Sequence, residues 1–262
     1  MKLFYFSGTG NSYRIAKKIS KEFHNAQLVK ISLQNSDTHN PIDDSVIGVV
    51  FPLYYFGLPI IVRDFLQNLN VTKSSYVFII VTRGIPFAGG AKKQLRTIFK
   101  KKNIQYNYFQ YLTLGNNFIF YGFDASSEEE RMNRNRKNDN KIRTIIKAIK
   151  AEKNSQKYSI LDYPPFPFIT FHIPTYGYKA FQKSIYNNDS PFEVDQKRCT
   201  KCKKCEQHCP VDNISVSAQV KWKHDNCQLC LACYNCCPHN AIQYIDMSKK
   251  INTSGKKQYW NF

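Results

Sequence analysis

The arrangement of the cysteines constrains this chain more than any other feature. All nine lie between residues 199 and 237, and eight of them form two copies of one pattern, C-x2-C-x2-C-x3-C-P. Cys199, Cys202, Cys205 and Cys209-Pro210 return 28 residues later as Cys227, Cys230, Cys233 and Cys237-Pro238, and Ile214 returns as Ile242. So many thiols in so short a stretch either close disulfides or wrap a metal centre. A disulfide scaffold needs export. At the N-terminus only Leu3 to Phe6 are apolar before Ser7-Gly8-Thr9-Gly10, too short for the apolar region of a signal peptide. Metal binding in the cytoplasm is therefore the expectation.

Three thiolates at successive x2 spacing on a tight loop reach three corners of an iron–sulfur cubane. The proline after the fourth cysteine turns the chain away, so the fourth corner comes from the other copy. Crossed ligation then assigns Cys199, Cys202, Cys205 and Cys237 to one [4Fe–4S] cluster, and Cys227, Cys230, Cys233 and Cys209 to the other. Zinc also takes C-x2-C pairs, but zinc ribbons separate two pairs by a long gap and need no triplet followed by C-P. Cys236 breaks the repeat and reads as a buried or spare thiol. His208 and His239 read as ordinary surface histidines, because the ligand sets are already complete.

The first 150 residues carry a different signal. Apolar runs at Leu3–Phe6, Gln27–Ile31, Val46–Phe51, Tyr76–Val81 and Ile104–Leu114 predict strands. Between them, helical spacing links Ile15, Ile19 and Phe23; Ile61, Phe65 and Leu69; and Ala91, Leu95 and Ile98. Ser127 and Glu130 suggest a capping box ahead of the apolar stripe Ile142, Ile145, Ile146 and Ile149. This β-α alternation predicts a parallel sheet covered by helices. The charge-free run Val46 to Val62 is broken by Pro52, Gly57 and Pro59, so it reads as strand, loop and helix start rather than a membrane span. Residues 151–190, rich in proline and aromatics, read as a connector packed between two domains.

Ser7-Gly8-Thr9-Gly10-Asn11-Ser12 follows the first strand and opens the first helix. Backbone amides at a helix start, flanked by hydroxyls, make a phosphate site. The run has neither the lysine of a P-loop nor the G-x-G-x-x-G of a dinucleotide fold. In an open α/β sheet ligands lie beyond the C-terminal strand ends. Two more loops reach that edge: Pro52-Leu53-Tyr54-Tyr55-Phe56-Gly57, and the stretch from Thr82, Arg83 and Gly84 to Gly89 and Gly90. The first offers aromatic faces and the second close backbone approach. A phosphate held by Ser7, Thr9, Gly10, Asn11 and Ser12, with a flat ring between the other loops, describes FMN. Core packing is the competing reading of Tyr54 and Tyr55.

The S-x-T-G-x-S run resembles the phosphate loop of flavodoxins, with Ser12 where threonine is common. The cysteine block resembles two-cluster bacterial ferredoxins. In this order the two are similar to the flavodoxin–ferredoxin fusion proteins of bacteria and archaea. The resemblance implies an α/β, flavodoxin-like, doubly wound parallel sheet of order 2-1-3-4-5, followed by a small α+β two-cluster ferredoxin domain. It implies noncovalent FMN, and electron transfer as the function. The expected division is a flavin domain over 1–150, the connector over 151–190, and a ferredoxin domain over 191–262 with a short C-terminal tail. Clusters pass single electrons and FMN holds one or two, so such a fusion links one- and two-electron partners. The alternative is a flavin-dependent reductase of a small molecule, fed by its own clusters. Thirty-eight Lys and Arg against nineteen Asp and Glu give a formal charge of +19. No nucleic-acid motif accompanies that charge. The expected partner is an acidic redox protein, docking where Lys197, Arg198, Lys201, Lys203 and Lys204 flank the first cluster motif.

Overall fold

The computed structural model describes residues 1–35, 41–86, 90–119, 125–155, 192–223, 227–246 and 251–252. The connector from residue 156 onward, residues 87–89 and the C-terminal tail from residue 253 lie outside them. The apolar runs of the N-terminal part become β1 (Lys2–Tyr5), β2 (Gln27–Lys30), β3 (Val46–Pro52), β4 (Tyr76–Arg83) and β5 (Tyr108–Thr113). They pair in parallel in the order β2-β1-β3-β4-β5. Helices α1 (Asn11–Ser20), α2 (Ile60–Asn68), α3 (Ala91–Lys101) and α4 (Glu128–Lys150) complete a flavodoxin-like doubly wound fold.

The strands are apolar on both faces because both are covered. Phe4, Val49, Phe51, Ile79 and Val81 pack against Phe65 of α2 and Leu95 of α3. On the other face Leu3, Val50, Phe78 and Ile80 meet Ile15 and Ile19 of α1, and the α4 stripe Ile142, Ile145, Ile146 and Ile149. Burying each of Phe6, Phe51, Phe65 and Phe78 completely contributes about 1.5–3 kcal/mol relative to exposure.

Three local expectations are adjusted. The run from Ile104 becomes strand only at Tyr108, because Asn103 turns at φ 52° and the Ile104 amide bonds the Phe99 carbonyl to finish α3. Phe23 falls just beyond the end of α1. Only half of the capping box forms. The Ser127 hydroxyl accepts from the Glu130 amide at 3.2 Å, while the Glu130 carboxylate bonds Arg134.

The cysteine region folds as β6 (Phe192–Val194), α5 (Lys204–His208), β7 (Ile214–Val216), β8 (Val220–Trp222), α6 (Ala232–Cys236), β9 (Ile242–Asp246) and β10 (Ile251–Asn252). The sequence repeat is a structural repeat: β6, α5 and β7 recur 28 residues later as β8, α6 and β9. Even the unusual backbone recurs, with positive φ at Lys201, Lys203 and Asp212 and again at Leu229, Leu231 and Asn240. The copies are interlocked, because β6 pairs with β9 and β7 with β8. Each strand pair thus draws one strand from each copy, the backbone counterpart of the crossed ligation expected.

This region packs on the sheet domain. Val211 joins its core, Leu33 N–H donates to the Pro210 carbonyl at 3.1 Å, and the buried Gln228 side chain accepts from the Ile61 amide at 3.1 Å. That last bond supplies α2 with a cap that its own N-terminal residue Pro59 does not provide. Among the described residues no helix is long and apolar enough to cross a membrane. The run Val46 to Val62 folds as β3, a turn and the start of α2.

Candidate functional site

In a sheet of this order the connections leave β1 and β3 in opposite directions, and a crevice opens above their C-terminal ends. A cleft of about 680 Å³, partly open to solvent, lies there. Ser7, Thr9, Asn11, Ser12, Pro52, Leu53, Tyr54, Tyr55, Thr82, Arg83 and Gly84 all line it. Pro52, Thr82 and Arg83 occupy strand ends rather than loops. Phe56, Gly57 and Gly90 do not line it. They shape its wall instead: Tyr54 and Gly57 exchange backbone hydrogen bonds, and the Gly90 amide donates to the Phe56 carbonyl at 2.7 Å. Gly89 lies outside the described residues.

The phosphate loop is built for an anion. Gly10 precedes α1 at φ 95°, a conformation that disfavours any side chain, and gives the helix no side-chain cap. The first amides of α1 are thereby left for a ligand. The Ser7 hydroxyl accepts from the Gly10 amide at 3.1 Å and holds the turn closed. Ser12 pairs with Thr82, hydroxyl to hydroxyl at 2.8 Å, locking α1 to the end of β4. Thr9 is bonded by the Asn117 amide. The aromatic loop turns at Tyr55 and Phe56, with φ of 44° and 63°. Tyr54 packs edge-on against Phe6, and Tyr55 against Phe118.

Two parts of the cleft carry no signal that the sequence reading used. Gly115, Asn116, Asn117 and Phe118, after β5, form a fourth loop. Asn11 donates to the Gly115 backbone carbonyl at 3.1 Å, and the side-chain amide oxygen of Asn117 is buried without a hydrogen-bond partner at the cleft wall. An unpaired buried acceptor there suits a ring N–H such as that of a flavin. The last wall is Leu229, Cys230 and Leu231 of the second cysteine loop. That loop comes so close that a Cβ on Gly8 would lie 1.9 Å from the Cys230 carbonyl oxygen. The Tyr54 hydroxyl is shut in beside it, and burial pushes its pKa well above the usual phenol value.

The cysteines ring two further cavities. Cys199, Cys202, Cys205 and Cys237 line one, and Cys209, Cys227, Cys230 and Cys233 line the other. These are the two crossed sets. Among the described residues no three His, Cys, Asp or Glu side chains close on a point where one metal ion would sit. The first, outer cavity is rimmed by exposed Cys202, Lys201, Lys203, Lys204 and His239; the second, inner cavity shares Cys230 with the cleft above β1 and β3. Burial raises Cys205 and Cys227 each to about 11, and raises Cys209, Cys230 and Cys233 as well. Cluster iron must therefore displace protons from these thiols on binding. Backbone amides already point at sulfur: Asn213 N–H to Cys209 and Ala241 N–H to Cys237, both at 3.2 Å. Cys236 lines neither cavity. Its thiol donates to the Cys233 carbonyl at 3.5 Å, and burial pushes it up to about 12. His208 bonds the Lys204 carbonyl within α5.

The family described as 4Fe-4S binding domain matches residues 192–215. The pyruvate synthase subunit PorD of Methanocaldococcus jannaschii is 36% identical over 58 residues, covering 21% of this chain and 67% of that protein. Among solved structures, the flavodoxin of Streptococcus pneumoniae TIGR4 aligns with 58% of this chain and 97% of its own, at 15% identity and TM-score 0.37. Rubredoxin oxygen:oxidoreductase from Desulfovibrio gigas aligns with 58% of this chain and 36% of its own, at 16% identity and TM-score 0.37. An FMN-dependent NADH-azoreductase from Bacillus anthracis aligns with 56% and 100%, at 11% identity and TM-score 0.35.

Proposed function

We propose, on the premise that the chain belongs to the flavodoxin–ferredoxin fusion proteins, that it carries two [4Fe–4S] clusters and one FMN and links one-electron to two-electron redox partners. It is an iron–sulfur flavoprotein of electron transfer. When bound, the clusters supply single-electron steps and the flavin supplies one- or two-electron storage. The carrying observation is that the inner cysteine loop is itself a wall of the flavin cleft, through Leu229, Cys230 and Leu231. Residues 1–150 would hold the flavin and 191–262 the clusters, with the cytoplasm as the compartment.

The chain's own residues then divide the work. Thr9 and the open start of α1 hold the phosphate, Tyr55 and Phe118, packed edge to face, form one side of the ring's site, and the Asn117 side-chain oxygen accepts from the ring's edge. At the other end the outer cavity meets solvent beside exposed Cys202. Exposed Lys201, Lys203 and Lys204 line it, and exposed Lys197 and Arg198 precede its first cysteine in the chain. Two oxidised clusters at −2 each lower the formal +19 only to about +15. An acidic redox protein is the partner this surface suits, through a weak, electrostatically steered encounter.

Anaerobic purification with metal, sulfide and flavin analysis tests the reading. The expected result is about eight irons, eight sulfides and one FMN. A preparation that reconstitutes with zinc and takes no iron refutes it. Stopped-flow transfer with an acidic ferredoxin should slow as salt rises, since the screening length falls to roughly 8 Å at 0.15 M. A rate indifferent to salt, and to Lys201, Lys203 and Lys204 becoming Glu, removes the acidic partner. Steady turnover of an oxidised small molecule would instead favour a reductase.

A further inference from the structure

The two cluster cavities are built from one repeat but differ in a way that bears on redox tuning. Both receive a backbone N–H on the proline-adjacent cysteine, from Asn213 in the inner cavity and from Ala241, its counterpart in the repeat, in the outer. Only the inner cavity adds a polar side chain at that position. Asn213 is 1% exposed, and neither atom of its amide has a hydrogen-bond partner. Trp222, across the β7–β8 hairpin, lines the same cavity, and its indole N–H is buried and also unpaired. Two unpaired polar side chains facing one cavity are costly, at about 1–3 kcal/mol each, unless a ligand receives them.

A cluster needs such donors more in the inner cavity than in the outer. Reduction adds a negative charge, and burial penalises it. The outer cavity has solvent and Lys201, Lys203 and Lys204 to offset that charge, whereas the repeat places Leu229, Leu231 and Ala232 at the matching inner positions and the cation acting on inner Cys209 and Cys230 is Lys30 of the sheet domain. Without compensation the inner cluster would be the harder to reduce, and electrons entering at the surface would stall before the flavin. Hydrogen bonds to cluster sulfur raise the potential, because they strengthen as the sulfurs gain charge.

We propose that the Asn213 amide and the Trp222 indole donate N–H···S hydrogen bonds to the inner cluster, raising its reduction potential to offset burial. The inference rests on the two-cluster reading above. The experiment uses the full chain with clusters and FMN loaded, and follows each cluster by EPR during a potentiometric titration. Signals are assigned with Cys202→Ala, which removes an outer ligand. Iron and sulfide analysis comes first: a count short of two clusters sinks the two-cluster reading itself, not the tuning. With both clusters present, Asn213→Leu combined with Trp222→Phe should lower the inner cluster's reduced-to-oxidised ratio at fixed potential about tenfold. That corresponds to about 59 mV for one electron. The outer cluster should not move, and pulsed EPR after exchange into D2O should show weaker deuterium coupling at the inner cluster alone, the part from the backbone amides of Asn213 and Leu229 remaining. An unchanged inner potential, or an equal shift of both clusters, overturns the proposal. Should the double variant fail to load its inner cluster, Ala241→Asn decides. A raised outer potential supports the proposal, and an unmoved one overturns it.

Discussion

A single methyl group at position 8 should loosen the inner cysteine loop from the flavin cleft. In Gly8→Ala the new Cβ would lie 1.9 Å from the Cys230 carbonyl oxygen, 2.8 Å from its carbonyl carbon and 2.8 Å from the Tyr54 hydroxyl. Ordinary contact begins near 3.5 Å, so something must withdraw by about 1.5 Å. Tyr54 gives little room, because its ring is set edge-on against Phe6. The other two atoms are backbone, fixed between cluster cysteines. Gly8 does not adopt a positive φ, so the penalty is contact and not backbone strain. Overpacking of this kind costs about 1–3 kcal/mol, a fivefold to hundredfold loss of the docked state. The melting temperature should fall by about 2–4 °C per kcal/mol for a domain of this size. Amide exchange should quicken at Leu229 and Leu231 while the central strands β3 and β4 stay protected. FMN affinity should fall, because the loop is one wall of its cleft. A variant that melts, exchanges and binds flavin like the parent would show that the two loops do not touch.

Three further outcomes follow from the same geometry. Thr9→Val removes a hydroxyl from the phosphate loop and should weaken FMN about tenfold or more, the worth of a hydrogen bond to a charged group, with iron content unchanged; equal flavin affinity would displace the loop assignment. Cys202→Ala should lose the outer cluster's iron, whereas Cys236→Ala should keep both clusters, since Cys236 lines neither cavity; an equal loss in both would put Cys236 among the ligands. Lys18 bonds Asp139 at 2.6 Å and ties α1 to α4, which lowers the Asp139 pKa. The stabilisation is therefore present above about pH 3.9, the usual unfolded value, and is lost as pH falls through the lowered one. Asp139→Asn should cost about 0.2–1 kcal/mol near neutrality and nothing in strong acid, read from urea unfolding at both pH values; a cost that persists in acid would mean packing and not charge.

Most of the sheet was legible because its strands are covered on both faces. Runs such as Val46–Phe51 and Tyr76–Val81 carry almost nothing polar, and the α4 isoleucines keep strict helical spacing. The cysteine sets were legible because ligand spacing is covalent geometry. The fourth cleft loop was not. Gly115 and Asn117 sit in a polar, irregular stretch, and what makes them matter is Asn11 and Thr9, more than a hundred residues away. Gly8 read as one glycine among several in a turn. Its meaning, the passage of the Cys230 peptide, exists only once the two halves of the chain are docked.

One long-range feature was nonetheless written in the sequence, in the difference between the two copies of the repeat. Lys201, Lys203 and Lys204 occupy the positions that Leu229, Leu231 and Ala232 occupy 28 residues later, and Lys201 and Lys203 share the positive φ of Leu229 and Leu231. The backbone task is the same in both loops, so the exchange of lysine for leucine reports what each loop faces. Lysines belong where the loop meets water, and leucines where it is pressed against another surface. Leu231 is 5% exposed and Leu229 packs on Ile60, whereas both lysines are exposed. An ordering follows without any measured distance: the lysine copy opens to solvent and the leucine copy closes on the cleft above β1 and β3. A chain that only stored electrons would gain nothing from this asymmetry. A chain that passes them between a protein surface and a buried ring needs it, because its two cluster sites must differ in what they touch while remaining alike in what they hold.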